Sequence, residues 1–225
     1  KLEFLTQSNT QQFLLRTFYN NFINTLLSST NQTLEALSII LPPLIGLNTK
    51  IIETLATKNN LKFFNLDCQI YIEPEVRNIV SNFQGNLKQL KINSTIIPIH
   101  FFKIESLKSL TSLEIILSIA SIISIKSHIM RTFYVLDQIE NLETLTIIFN
   151  STYTNQLGDL GEKILKYLKT WRKIKRMEIT IGIKISEEIV NKILEACKSN
   201  ETLEIAQLKL GKFLVTKDSK GTMID

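Results

Sequence analysis

The sequence predicts an α/β solenoid, a stack of strand–helix repeats whose strands run parallel along one face. Three observations carry this expectation. A six-residue pattern, apolar-x-x-apolar-x-apolar, recurs along the chain. Its copies are spaced by about the length of one strand and one helix. The segments between copies carry apolar residues at helical spacing.

The pattern occurs at Leu34, Leu37 and Ile39, at Leu61, Phe64 and Leu66, and at Leu87, Leu90 and Ile92. It returns at Leu110, Leu113 and Ile115, at Leu142, Leu145 and Ile147, at Ile174, Met177 and Ile179, and at Ile205, Leu208 and Leu210. A partial copy opens the chain at Leu2 and Leu5. From Leu34 onward the steps between first positions are 27, 26, 23, 32, 32 and 31 residues. Alternate residues of a strand face opposite ways, so the repeated apolar positions turn inward and the residues between them turn outward. Asn60, Asn86 and Asn141 each precede a first position.

The intervening segments read as helices. Residues 12–27 place Leu14, Phe18, Phe22 and Leu26 on one stripe. Residues 49–58 carry Ile51, Ile52, Leu55 and Ala56. Pro74 suits a first helical position, and Gly85 suits the residue past a helix end. Residues 159–171 hold Leu160, Ile164, Leu168 and Trp171 on one face, which puts Trp171 in the core. Ser186 is the expected N-cap of a later helix, with Glu187 and Glu188 in its first turn and Ile189, Ile193 and Cys197 as its stripe.

Like strands separated by about one helix imply a parallel arrangement. The rival is an open doubly wound sheet. Dinucleotide- and flavin-binding versions of that fold need a Gly-rich first turn, and the chain has none. A shared strand template also favours the repeat.

With its inward leucines and intervening helices, the chain resembles the leucine-rich-repeat superfamily, in its long, helix-bearing, ribonuclease-inhibitor-like class. The resemblance covers Leu2 to Leu210. It implies a horseshoe-shaped solenoid with parallel strands on the concave face and helices on the convex face. One domain over 1–225 is expected, with about seven or eight irregular repeats. Residues 1–30 are expected as an N-terminal cap or irregular first repeat. Residues 211–225 are expected as a hairpin cap turning at Gly221. Uneven repeats such as NLKQLKINS and NLETLTIIFN are similar to those of F-box receptor proteins. That likeness implies a substrate receptor meeting a ubiquitin-ligase adaptor through an F-box outside this chain. Most copies lack the family's Asn after the third apolar residue.

Composition excludes several other classes. At 44% hydrophobic and 21% charged, the chain has too much core material for disorder. Seven Gly and four Pro are too few for a barrel or sandwich of many tight turns. The longest apolar run, 113–125, has 13 residues, where a membrane helix needs roughly 20. No membrane role is expected. Cys68 and Cys197 form no CxxC pair, which fits a reducing compartment, cytoplasmic or nuclear.

No catalytic constellation is legible. His100 and His128 have no Cys, Asp or Glu at metal-ligand spacing, so neither a metal nor a cofactor is expected. Gly158-Asp-Leu-Gly161 reads as a loop entering a helix rather than a phosphate cradle. Asn-x-Ser/Thr triplets at Asn31, Asn93, Asn150 and Asn200 arise by chance in a chain so rich in these residues.

Binding is therefore the expected function, and two surfaces are candidates. The first is the outward strand face, with Ile40, Phe63, Asn65, Asp67, Gln89, Lys91, Glu114, Ile116, Ile148, Arg176 and Glu178. Apolar anchors among polar residues suit a protein partner. The second is a basic cluster of Lys163, Lys166, Lys169, Arg172, Lys173, Lys175 and Arg176. Charge runs are usually solvated faces. As a docking patch this one would take an acidic partner such as RNA, with Tyr167 as the accessible aromatic. A net charge of +5 permits nucleic acid without requiring it.

Overall fold

In a computed structural model of the chain, the described residues are 17–18, 20–23, 25, 34–40, 60–67, 87–94, 107–118, 132–150, 158–182, 185–218 and 223–224. The fold is α/β with mostly parallel strands. The chain divides into two compact units, residues 1–109 and 110–225.

The first unit holds three parallel strands, β1 (Ala36–Ile40), β2 (Phe63–Asp67) and β3 (Gln89–Ser94). Their register aligns Leu37, Phe64 and Leu90 in one row and Ile39, Leu66 and Ile92 in another. Phe64, Leu66, Leu90 and Ile92 are buried, as are Leu61 and Leu87 ahead of the strands. Burying each such side chain stabilises the fold by about 1.5–3 kcal/mol.

The second unit repeats the design. Strands β4 (Ser112–Ser118), β5 (Thr144–Asn150), β6 (Arg176–Ile181) and β7 (Ile205–Leu210) run parallel. Helix α1 (Gly158–Thr170) joins β5 to β6, and α2 (Glu187–Ser199) joins β6 to β7. The inward rows Leu113–Leu145–Met177 and Ile115–Ile147–Ile179 are buried throughout.

A backbone device recurs at the entry to β2, β3, β5, β6 and β7. One carbonyl accepts from two successive amides of the next strand's entry. The Glu35 carbonyl takes Lys62 N at 2.7 Å and Phe63 N at 3.0 Å, and the Lys62 carbonyl takes Lys88 N and Gln89 N. The Thr111, Glu143 and Lys175 carbonyls do the same at later steps. Identical hydrogen bonding at each step satisfies the backbone where the chain enters the sheet.

The register corrects one expectation. Ile205 pairs with Arg176, so the residue matching Ile174 is Leu203, which is buried. The last copy is Leu203–Ala206–Leu208, and its step is 29 residues instead of 31. The small Ala206 at a site usually held by a large apolar residue hid this copy. A two-residue shift preserves the side-chain faces, so Gln207 and Lys209 still point outward.

Helix α1 matches its expected range within one residue at each end. Leu160, Ile164 and Leu168 are buried, whereas Trp171 is half-exposed. Gly158 and Gly161 belong to the helix itself, not to a loop before it. Gly161 is buried at a close approach: an added Cβ would lie 2.6 Å from both Ile185 Cδ1 and Ile189 Cγ2. Helix α2 starts as expected. Ser186 is its N-cap, with Oγ accepting from Ile189 N at 3.4 Å.

Residues of 17–25, where described, are helical, but Phe18 and Phe22 are 64% and 58% exposed and stack on each other. The expected stripe faces solvent at those two positions; Leu14 and Leu26 lie outside the described residues. So do 49–58, Pro74, Gly85, Cys68, His100, His128 and Gly221.

After β7 the chain turns at Gly211, whose φ of 62° is the left-handed region that glycine favours. Strand β8 (Phe213–Lys217) returns antiparallel to β7, and β9 (Met223–Ile224) pairs antiparallel with β8. Among the described residues no helix is long and apolar enough to cross a membrane.

Candidate functional site

The outward strand positions form columns set by the register. In the first unit, Phe63 sits between Ala36 and Gln89, Asn65 between Ser38 and Lys91, and Asp67 between Ile40 and Asn93. Ile40 is 68% exposed, and Phe63 is half-exposed. Asn65 Nδ2 donates to Ser38 Oγ at 2.9 Å, while Asn65 Oδ1 is buried and accepts no bond among the described residues. Burial without a partner costs such an atom about 1–3 kcal/mol.

In the second unit the columns are Ser112–Thr144–Arg176, Glu114–Thr146–Glu178–Gln207 and Ile116–Ile148–Thr180–Lys209. Ile116 and Ile148 are direct neighbours, half-exposed, between polar columns. Arg176 is exposed, and Glu114 and Glu178 are half-exposed. Each strand-face residue picked out from the sequence is thus solvent-accessible and shares a face with the others of its own unit.

The basic cluster is not one patch. Lys166 pairs with Asp137 at 3.0 Å, and Lys175 pairs with Glu143 at 2.8 Å. Lys173 donates to Asn141 Oδ1 at 2.5 Å. These bonds reach back by 29 or 32 residues, so they tie one repeat to the one before. The hydrogen bond to Glu143, and then its charge, raise the Lys175 pKa. Lys173 lies beyond the end of α1, and Arg176 opens β6 on the strand face. Lys163, half-exposed, and Lys169 and Arg172, both exposed, have no ion pair among the described residues.

The two nearby aromatics exchange their expected roles. Tyr167 is buried, and its hydroxyl donates to the Phe133 carbonyl at 2.5 Å. Burial first, then the Asp137 carboxylate, raise its pKa and keep it neutral. Its ring stacks between Phe133, at 5.5 Å, and Trp171, at 4.5 Å. Trp171 ends this column and lines a groove of about 760 Å³ between α1 and α2.

No protein-family model matches the chain. No curated protein matches it either.

Two residues with no structural role legible in the sequence hold the end of the second unit together. Asn200 Nδ2 donates to the Leu168 carbonyl at 2.7 Å and the Trp171 carbonyl at 3.5 Å. Asn200 Oδ1 accepts from Thr202 N, Thr202 Oγ1 and Leu203 N. The glycosylation-type triplet at Asn200 thus has its amide nitrogen committed inside the fold. Lys217 is buried, and its Nζ donates to the carbonyls of Cys197 and Asn200, each at 2.9 Å. A cation at the C-terminal end of α2 satisfies carbonyls that the helix leaves open. An alternation pattern treats Lys217 as an ordinary strand residue and carries no sign of this role. Among the described residues no three His, Cys, Asp or Glu side chains cluster as a metal site.

Proposed function

We propose that the chain is a leucine-rich-repeat solenoid of the ribonuclease-inhibitor-like class, a single domain over 1–225 in the cytoplasm or nucleus. It acts as a non-catalytic scaffold that holds a protein partner on its outward strand face. The single observation that supports this reading best is the strand-face register. It lines up accessible side chains in columns, with apolar anchors at Ile40, Phe63, Ile116 and Ile148 among polar neighbours. Large apolar side chains ringed by polar ones are the usual centres of binding energy.

The basic cluster supports RNA binding less well. Three of its lysines are tied to the preceding repeat, and Tyr167 is buried. Backbone binding needs several free cations along one track.

A tagged pull-down of the full chain, read by mass spectrometry at low and at high salt, tests the proposal. Two variants accompany it: Ile40→Asp with Phe63→Asp, and Ile116→Asp with Ile148→Asp. A protein partner that survives high salt and is lost from either variant is the expected result. A partner retained by both folded variants would sink the strand-face reading. An adaptor and a cullin among the survivors would extend it to a ubiquitin-ligase substrate receptor. Nucleic-acid-associated proteins that vanish at high salt would move the function to the basic cluster.

A further inference from the structure

The groove between α1 and α2 lies on the helix side of the second unit, apart from the strand face. Its floor is apolar, made by Leu168, Ala196 and the half-exposed ring of Trp171. That ring is backed by Tyr167 and Phe133, a stacked column that holds its plane. A rigid aromatic surface at the edge of an open groove is a stacking and packing platform. At about 760 Å³ the groove is within the size range of ligand sites.

The two walls differ in free charge. On the α1 side stand Lys169 and Arg172, exposed and without an ion pair among the described residues. On the α2 side the acidic residues are already neutralised. Glu188 pairs with Lys192 at 2.5 Å, and Glu195 pairs with Lys198 at 3.0 Å. Glu201 adds a carboxylate at the turn after α2.

A nucleic-acid strand carries one negative charge per phosphate and needs a run of free cations, whereas this groove offers two, Lys169 and Arg172, with the Glu201 carboxylate opposite. A peptide can set one carboxylate against Lys169 and Arg172, place an aromatic ring on Trp171, and leave the ion-paired wall to neutral groups. Tryptophan and arginine are the residues most often found at the energetic centre of such contacts.

We propose that the α1–α2 groove docks a short peptide segment of a partner protein, one with an aromatic side chain next to an acidic residue. This site is independent of the strand face, and the failure of one leaves the other standing.

Trp171 is the only tryptophan in the chain, so intrinsic emission reports on this groove alone. The experiment pans a random peptide library displayed on phage against the full chain, then titrates synthetic copies of the enriched peptides while following Trp171 emission. The expected result is enrichment of aromatic–acidic segments that shift the emission saturably. Binding should weaken by about tenfold or more in Lys169→Glu and Arg172→Glu, since rim and groove cations are truncated at that order of cost. Glu201→Lys, of opposite sign, should tighten it. Circular dichroism of each variant establishes that it is folded. Enriched peptides that leave the emission unmoved, or that bind the charge-reversed variants equally well, would overturn the proposal. Failure to enrich any peptide would overturn it too. So would single-stranded poly(U) RNA that gives the saturable Trp171 response when the peptides do not.

Discussion

Lys217 shows how one side chain can close an end of the fold. Its ammonium is buried against two carbonyls at the end of α2 and pins β8 to that helix. Lys217→Met keeps the length and removes the donor. Met relieves the cost of burying a charge but leaves both carbonyls unsatisfied, which costs about 1–3 kcal/mol. The second effect should win, and a urea titration should show the loss. An unchanged midpoint would mean the ammonium adds nothing net. Cys197, whose carbonyl receives that ammonium, has its thiol pKa pushed up by burial to about 12 from an ordinary 9.0. The folded chain therefore keeps this proton where the unfolded chain loses it. The resulting stability is fully present below pH 9.0 and fades as pH rises toward 12. Between pH 8 and about 10.5, the denaturation midpoint should fall further in the native chain than in Cys197→Ala. Equal slopes would contradict this assignment.

Within elements, Gly161 is the position where packing outweighs propensity. Alanine there would gain up to about 1 kcal/mol of helix propensity. Its Cβ would also meet Ile185 Cδ1 and Ile189 Cγ2 at 2.6 Å. The first atom ends a side chain that can swing aside, whereas the second is branched at Cβ and stiff. Overpacking costs about 1–3 kcal/mol, so Gly161→Ala should destabilise the second unit on balance. A raised melting temperature would show that α2 yields to the added methyl. The same glycine is buried against Ile185 and Ile189, and Gly158-Asp-Leu-Gly161 forms the first turn of α1 where the sequence suggested a loop.

At the scale of the whole molecule, each of the two units is stabilised by stacking like strand upon like. The Glu35, Lys62, Thr111, Glu143 and Lys175 carbonyls each take two amides of the next repeat. Cross-repeat pairs such as Glu35–Lys62 and Glu143–Lys175 lie over the same steps. Parallel strands of one unit hold one another through their shared apolar rows, so damage to one is felt in the next. Leu90, 1% exposed in β3, is such a site. Leu90→Ala should cost about 2–5 kcal/mol in denaturant, from lost burial plus the cavity left behind. A cost under about half a kilocalorie would argue that Leu90 is not core.

The sequence by itself determined the periodic part of this protein. Strand positions, the inward and outward faces, the N-cap at Ser186 and the limits of α1 follow from alternation, helical spacing and capping chemistry, which act over a few neighbouring residues. The outward strand residues were legible for that reason. Tertiary structure decided what depends on residues about one repeat away. It placed Ala206 in the last copy, left Phe18 and Phe22 in solvent, buried Tyr167 and opened Trp171. It divided the basic cluster into inter-repeat bonds, one strand-face arginine and a groove wall. Each outcome turns on register, on the room left by a neighbour, or on a donor 17 to 32 residues distant. A local pattern has no access to such partners, because only the stacking of repeats brings them within reach.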